Sequence, residues 1–159
     1  MSRVDSPALR GTLLGRLLRV FNPVMKRLLQ SPLHWPWSRW FAVVEWTGRR
    51  SQRRYRTPVA YLLRGDEVWV TTGDAWWRNL GSNPSMRVWL AGRLVAGEAS
   101  LVTDAEESIQ LHAEMFEVRP IFARLAGLPA RPTRPQIARA VDAGRVLVRI
   151  HLRYDGASP

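Results

Sequence analysis

Cysteine does not occur in the 159 residues, which excludes disulfides, thiolate metal sites and cysteine nucleophiles. Histidine is almost as scarce. His34, His112 and His151 are too scattered to suggest a metal-ligating cluster. No apolar run approaches the roughly 18 residues that a membrane span requires, and the N-terminus lacks the apolar core and small-residue cleavage site of an export signal. The expectation is a cytoplasmic protein that neither spans a membrane nor is secreted. The usual catalytic signatures are missing too: no Gly-x-Ser-x-Gly elbow, no phosphate loop ending in Gly-Lys-Ser/Thr, and no Gly-x-Gly-x-x-Gly after a strand. Asp104, Glu106 and Glu107 look like charges at a helix start, and Asp66 with Glu67 look like hairpin residues. Neither set suggests a paired acid and base.

Lysine is reduced to Lys26, so the net charge of +11 is carried by arginine, whose planar fork suits phosphates and carboxylates. An anionic partner follows. Nucleic acid, an anionic membrane surface and a phosphorylated cofactor would each satisfy the charge; nucleic acid is disfavoured because no recognised module is present. Apolar residues make up 46% of the chain, enough for one core in one domain.

Residues Leu9 to Leu29 place leucines, Phe21 and Met25 at helical spacing between arginines, with Asn22-Pro23 interrupting the pattern. This predicts a basic amphipathic helix, kinked or split at Pro23. Two uses of it stay open: packing on the core with a solvated basic face, or attachment to the anionic inner face of a membrane. With a Trp- and Pro-rich connector it forms an expected N-terminal unit, residues 1–38, ahead of a domain at 39–159.

From Phe41 the pattern becomes β-branched and aromatic. Phe41–Thr47, Arg54–Leu63 and Glu67–Thr72 read as an antiparallel meander, with Arg64-Gly65-Asp66 as a tight loop. A short helix capped by Asp74 is expected through Trp76–Leu80, ended by Asn83-Pro84. Met86–Leu90 and Leu94–Val102 read as a hairpin turning at Ala91-Gly92-Arg93. Thr103-Asp104 starts a helix that runs to about Val118, Pro129–Pro135 reads as a surface excursion, and Val146–Leu152 closes the chain as a strand. The sum is an α+β barrel of about six strands with flanking helices.

Two segments stand out. Six arginines lie between Arg49 and Arg64, and strand alternation over Arg53–Arg56 places at least two guanidinium groups on one face. With the Gly48 turn and the Ser51 hydroxyl they could cradle an anion; a solvated hairpin with scattered charge fits the same spacing. In Trp76-Trp77-Arg78-Asn79-Leu80, the adjacent tryptophans cannot both enter one core. One ring is then free for a ligand, unless Trp76 plugs the barrel end and Asn79 caps a loop.

Thr47-Gly48-Arg49-Arg50-Ser51 followed by Arg56-Thr57-Pro58-Val59-Ala60-Tyr61, and then Trp76-Trp77-Arg78-Asn79-Leu80 with Asn83-Pro84, resemble in content and order the deazaflavin (F-420)-dependent nitroreductase family of the split β-barrel, FMN-binding-like fold. The resemblance covers about Phe41 to Val102. It implies coenzyme F-420, an 8-hydroxy-5-deazaflavin with a phosphodiester and polyglutamate tail, and hydride transfer to quinones, nitro compounds or other electrophiles. Arg49, Arg50 and Ser51 would contact the phosphate and tail, Thr57, Pro58 and Val59 would present backbone to the ring, and Trp76 with Asn79 would brace the pocket. Arg54, Arg56, Thr72, Gly73 and Trp77 complete the implied cofactor-binding set. No catalytic residue and no metal ligand is implied, since the protein mainly positions the ring.

An FMN or haem binder, and a non-catalytic or membrane-peripheral protein, are alternatives on the same fold. The family's barrels commonly pair as homodimers. Three departures are visible: a shortened Gly73-Asp74-Ala75 link before Trp76, Gln52 where the turn glycine usually sits, and Phe116, Pro120 and Phe122 in the region where relatives place substrate-facing tyrosines. His112 reads as an ordinary histidine rather than a proton donor.

Overall fold

The computed structural model describes residues 39–81 and 83–154, and Arg27 before them. Apart from Arg27, the N-terminal helix and connector expected over residues 1–38 lie outside the described residues. Among the described residues, six antiparallel strands close into one barrel in the order β1-β2-β3-β6-β5-β4. They are β1 (Phe41–Thr47), β2 (Arg54–Arg64), β3 (Glu67–Thr72), β4 (Ser85–Leu90), β5 (Arg93–Leu101) and β6 (Val146–Arg153). These bounds agree with the expected strands to within a residue or so.

Strand alternation sorts the side chains into two cores. Ala42, Val44 and Trp46 of β1, Val59 of β2, Val68 and Val70 of β3, Val88 of β4 and Ile150 of β6 fill the barrel interior. The intervening residues of β2, β3 and β6 (Leu62, Trp69 and Leu147) pack outward against a helical layer. That layer holds α1 (Ala105–Val118), α2 (Pro120–Leu125) and α3 (Arg134–Asp142), which contribute Phe116, Phe122 and Ile137 to the second core. A side chain of this size, fully buried, contributes about 1.5–3 kcal/mol relative to exposure.

Backbone punctuation fixes the register. The two residues between β4 and β5, Ala91 (φ 46) and Gly92 (φ 79), are both left-handed, as a two-residue hairpin requires. Inside the barrel, a Cβ added to Gly97 would lie 2.7 Å from Ile150 Cγ2 and 3.0 Å from the His151 carbonyl oxygen, so β5 and β6 approach there only because the residue has no side chain. At the start of α1, Asp104 Oδ1 accepts from the Glu107 backbone N–H at 2.7 Å, with Glu106 and Glu107 in the positive first turn.

Three expectations are corrected. The Trp76 segment is a 3-10 helix, Ala75–Asn79, and the Asp74 side chain makes no capping hydrogen bond. Instead, the Asp74 backbone N–H is held by Thr72 Oγ1 at 3.1 Å. The Pro129–Pro135 stretch is not wholly an excursion, because Pro135 sits in the first turn of α3. There it costs no intrahelical hydrogen bond. α2 was not expected at all; Pro120 opens it in the same way.

Candidate functional site

Because neighbouring strands run antiparallel, β1 and β3 end at the rim where β2, β4 and β6 begin. The arginine-rich loop and the 3-10 helix are therefore brought to the same end of the barrel. The loop leaves β1 at Gly48 and re-enters β2 through paired bonds: the Gly48 N–H donates to the Arg53 carbonyl at 2.8 Å and the Gln52 N–H to the Gly48 carbonyl at 3.0 Å. Closing it requires a left-handed residue, and Gln52 takes that conformation with φ 55. A residue with a Cβ holds this conformation only at a conformational cost. Gln52 Nε2 adds a hydrogen bond of 3.1 Å to the Arg49 carbonyl.

Asn79 joins the two segments. Its Oδ1 accepts from the Arg49 backbone N–H at 3.2 Å, and its Nδ2 donates to the Trp76 carbonyl at 2.9 Å. Below this latch, Trp76 is buried in the barrel core, with Nε1 donating to Thr72 Oγ1 at 3.1 Å. Its ring centroid lies 5.3 Å from that of Trp46, and Trp46 in turn stacks on Tyr55 at 5.9 Å. The stack runs from the core to the surface, since Tyr55 is an exposed aromatic.

Above it opens a cleft of about 470 Å³. Arg49, Arg50 and Arg78 line it, together with Ser51, Asn79, Gly48 and the Trp46 and Tyr55 rings; among the described residues, no acidic side chain does. Among the described residues, none of the three arginines has a carboxylate within ion-pairing distance. The backbone amides of Arg50 and Ser51 donate to no acceptor among the described residues. Arg78 instead lies over Trp77, 5.4 Å from the ring centroid. Three cations without a carboxylate partner, two amides without an acceptor among the described residues and an aromatic floor are the chemistry that an anionic group attached to a flat, apolar one would require.

Of the residues singled out from sequence, Arg49, Arg50, Ser51 and Asn79 line the cleft. Arg54 lies exposed at the start of β2, and Arg56 is committed elsewhere. On the outer wall, Arg56 and Arg87 both bind the buried carboxylate of Glu45. Burial pushes that carboxyl up, but the bonds and charges of the two arginines outweigh it and hold Glu45 below the usual range. Val59 points into the barrel, and by alternation Thr57 shares its side while Pro58 faces out.

Thr72 is a buried acceptor for the 3-10 segment. Gly73 lies against the Arg145 guanidinium, which a Cβ there would meet at 3.4 Å. Trp77 is half-buried at the edge of the core. Phe116 and Phe122 lie in the helical core and do not reach the cleft.

His112 is fully buried. Its Nδ1 faces the Ser108 carbonyl at 2.8 Å and its Nε2 the Thr71 hydroxyl at 2.9 Å, and Arg145 also donates to Thr71, at 3.1 Å. Burial lowers its pKa to about 4, against a raising contribution from the Ser108 carbonyl. A neutral, fully bonded histidine away from the cleft has a structural role.

Gly48 was expected only as the turn of the arginine loop, and Trp46, Tyr55 and Arg78 were given no role of their own. The register pair Trp46–Tyr55 becomes visible only once the length of the arginine loop is known.

A closed six-stranded antiparallel barrel with helices on one wall has the split-barrel, FMN-binding-like fold. The chain belongs to the F420H(2)-dependent quinone reductase family, whose model matches residues 30–128 and so includes both motif blocks. It is a coenzyme F-420-dependent oxidoreductase.

Solved structures share the fold. The F420-H2 dependent reductase FDR-A is 14% identical, covering 70% of this chain and 94% of that chain, with a TM-score of 0.52. A FAD-binding protein from Mesorhizobium loti is 13% identical, covering 83% and 89%, with a TM-score of 0.50. A domain-swapped dimer is 12% identical, covering 70% and 80%, also with a TM-score of 0.50. No curated protein matches the chain. Among the described residues, no helix is long and apolar enough to cross a membrane, and no three His, Asp or Glu side chains are grouped so as to hold a metal ion.

Proposed function

We propose that the rim cleft holds the phosphodiester and acidic tail of coenzyme F-420, and that the acceptor is a quinone-class molecule. The carrying observation is the convergence of Arg49, Arg50 and Arg78 on one cleft without a carboxylate among the described residues that line it. These donors fit the group: acceptor-only oxygens would take the guanidinium forks, the Ser51 hydroxyl and the free amides of Arg50 and Ser51. When bound, the deazaflavin supplies the hydride. The protein's part is to orient and desolvate. Trp46 and Tyr55 offer apolar faces, while the Asn79–Arg49 latch holds the two lips of the cleft together.

Titration with oxidised F-420, FMN and haem, followed by absorbance and tryptophan quenching, tests this. Binding of F-420 in preference to FMN and haem, weakened about tenfold or more in Arg50→Ala, is the expected outcome for loss of one charge-assisted contact. Retention of full affinity in Arg50→Ala refutes the placement. Pairing into a homodimer, cytoplasmic residence and membrane contact through the N-terminal segment are parts of the same proposal. Light scattering and sedimentation with anionic vesicles test the first and the last.

A further inference from the structure

The Ser51 hydroxyl sits at the crossing of two hydrogen bonds whose other ends lie outside both motif blocks. Its Oγ is 2.9 Å from the Tyr55 phenol oxygen and accepts from the Arg53 backbone N–H at 3.3 Å. A serine hydroxyl has one proton and two lone pairs, and a phenol is the more acidic partner. We assign the proton between them to Tyr55, the better donor, with the Arg53 amide taking the remaining lone pair of Ser51. With both lone pairs filled, the serine proton has no protein acceptor among the described residues. Ser51 and Tyr55 both line the cleft, which leaves the cleft as the place where that proton can be given.

The arrangement is held from three sides. The Tyr55 ring stacks on Trp46 at an interplanar angle of 24°, and the two residues are register partners across β1 and β2. The Gly48–Arg53 backbone bond fixes the amide that reaches Ser51. A Cβ on Gly48 would lie 2.5 Å from Tyr55 Cε2 and 2.6 Å from Ser51 Oγ, so the pair occupies the space that a missing side chain leaves.

We propose that Tyr55 is a positioning residue that commits the Ser51 hydroxyl to donate into the cleft, selecting ligands that present acceptor-only oxygens such as a phosphodiester. Tyr55 acts through Ser51 and keeps its own oxygen off the ligand. The inference rests on the cleft being the anion end of the cofactor site.

Calorimetric titration of the full chain separates the two ideas. The proteins are the unmodified chain, Tyr55→Phe, Ser51→Ala and the double variant; the probes are oxidised F-420, the phosphate-free deazaflavin nucleoside and inorganic pyrophosphate. Tyr55→Phe keeps the ring stack and removes only the hydroxyl. Its expected effect is about five- to tenfold weaker binding of F-420 and pyrophosphate, the size of one misdirected hydrogen bond to an anion. Affinity for the phosphate-free nucleoside stays unchanged, and the double variant binds no more weakly than Ser51→Ala.

Unaltered pyrophosphate affinity in Tyr55→Phe, equal weakening for the phosphate-free nucleoside, or fully additive losses in the double variant each overturn the proposal. Pyrophosphate binding with this pattern but no F-420 binding supports the Tyr55–Ser51 relation and sinks the cofactor placement. Absence of binding by all three probes overturns both.

Discussion

Acidification from pH 7 to pH 5 should cost the folded protein stability through His112. The group is fully buried, and its pKa falls from 6.5 to about 4. The unfolded chain therefore takes up a proton over a range where the native state does not. With the folded value depressed, the neutral ring's contribution is fully present above pH 6.5 and is lost as the pH falls toward 4. A gap of about 2.5 pH units corresponds to roughly 3 kcal/mol in total, of which about 2 kcal/mol is lost between pH 7 and pH 5. Below that range the depressed carboxyl of Glu45 adds a further loss of the same sign. Urea unfolding followed by tryptophan fluorescence at half-unit pH steps measures the slope. His112→Gln, which keeps polar atoms between Thr71 and the Ser108 carbonyl but cannot titrate, should be less stable at pH 7 and nearly flat down to pH 5. A flat profile in the unmodified protein, or an undiminished slope in His112→Gln, would show that burial of the imidazole is not the cause.

Backbone and packing features give further expectations. Gln52→Gly should raise stability by about 1 kcal/mol, read as a higher denaturation midpoint, because φ 55 at that position strains any residue with a Cβ. Gly97→Ala should destabilise by about 1–3 kcal/mol in the same assay, since its methyl meets Ile150 and the His151 carbonyl. Phe116→Ala, which empties a fully buried site between helices and sheet, should cost about 3–5 kcal/mol. Asn79→Asp keeps the acceptor for Arg49 but places a negative charge among Arg49, Arg50 and Arg78. Pyrophosphate affinity should fall by about tenfold or more, and an unchanged value would mean that the arginines do not act as one site.

The strands were legible because each signals itself locally. Val68-Trp69-Val70 is strand-forming whatever lies beside it, and Ala91-Gly92 supplies the left-handed pair that a two-residue turn needs. The helices were uneven for physical reasons. α1 announced its start through Asp104 and its acidic first turn. α3 was hidden by prolines that suit a helix start as well as a loop, although Thr133 and Gln136 carry the capping-box spacing, and Gln136 Oε1 accepts from the Thr133 N–H at 2.8 Å. α2, at six residues, is too short for periodicity to reveal. In the site, the arginine loop was visible as charge, but its partition was not. Arg56 and Arg50 look alike in sequence, yet strand parity sends Arg56 to the outer wall and Glu45, while the turn leaves Arg50 at the cleft. That division depends on where β2 begins, which composition does not encode.

The barrel closes by ladders of very unequal length. β1 meets β2 over seven register pairs but meets β4 over three, from Val43–Trp89 to Glu45–Arg87. That contact is the seam, and Glu45 sutures it from outside, gripping Arg87 across the join and Arg56 on the neighbouring strand. A closed cylinder offers no strand edge to a passing chain, so any exchange of strands between copies must begin by unfastening a ladder, and the shortest yields first. Glu45 thus serves as the clasp of the cylinder. Its neutralisation would remove the ionic grip across the shortest of the ladders.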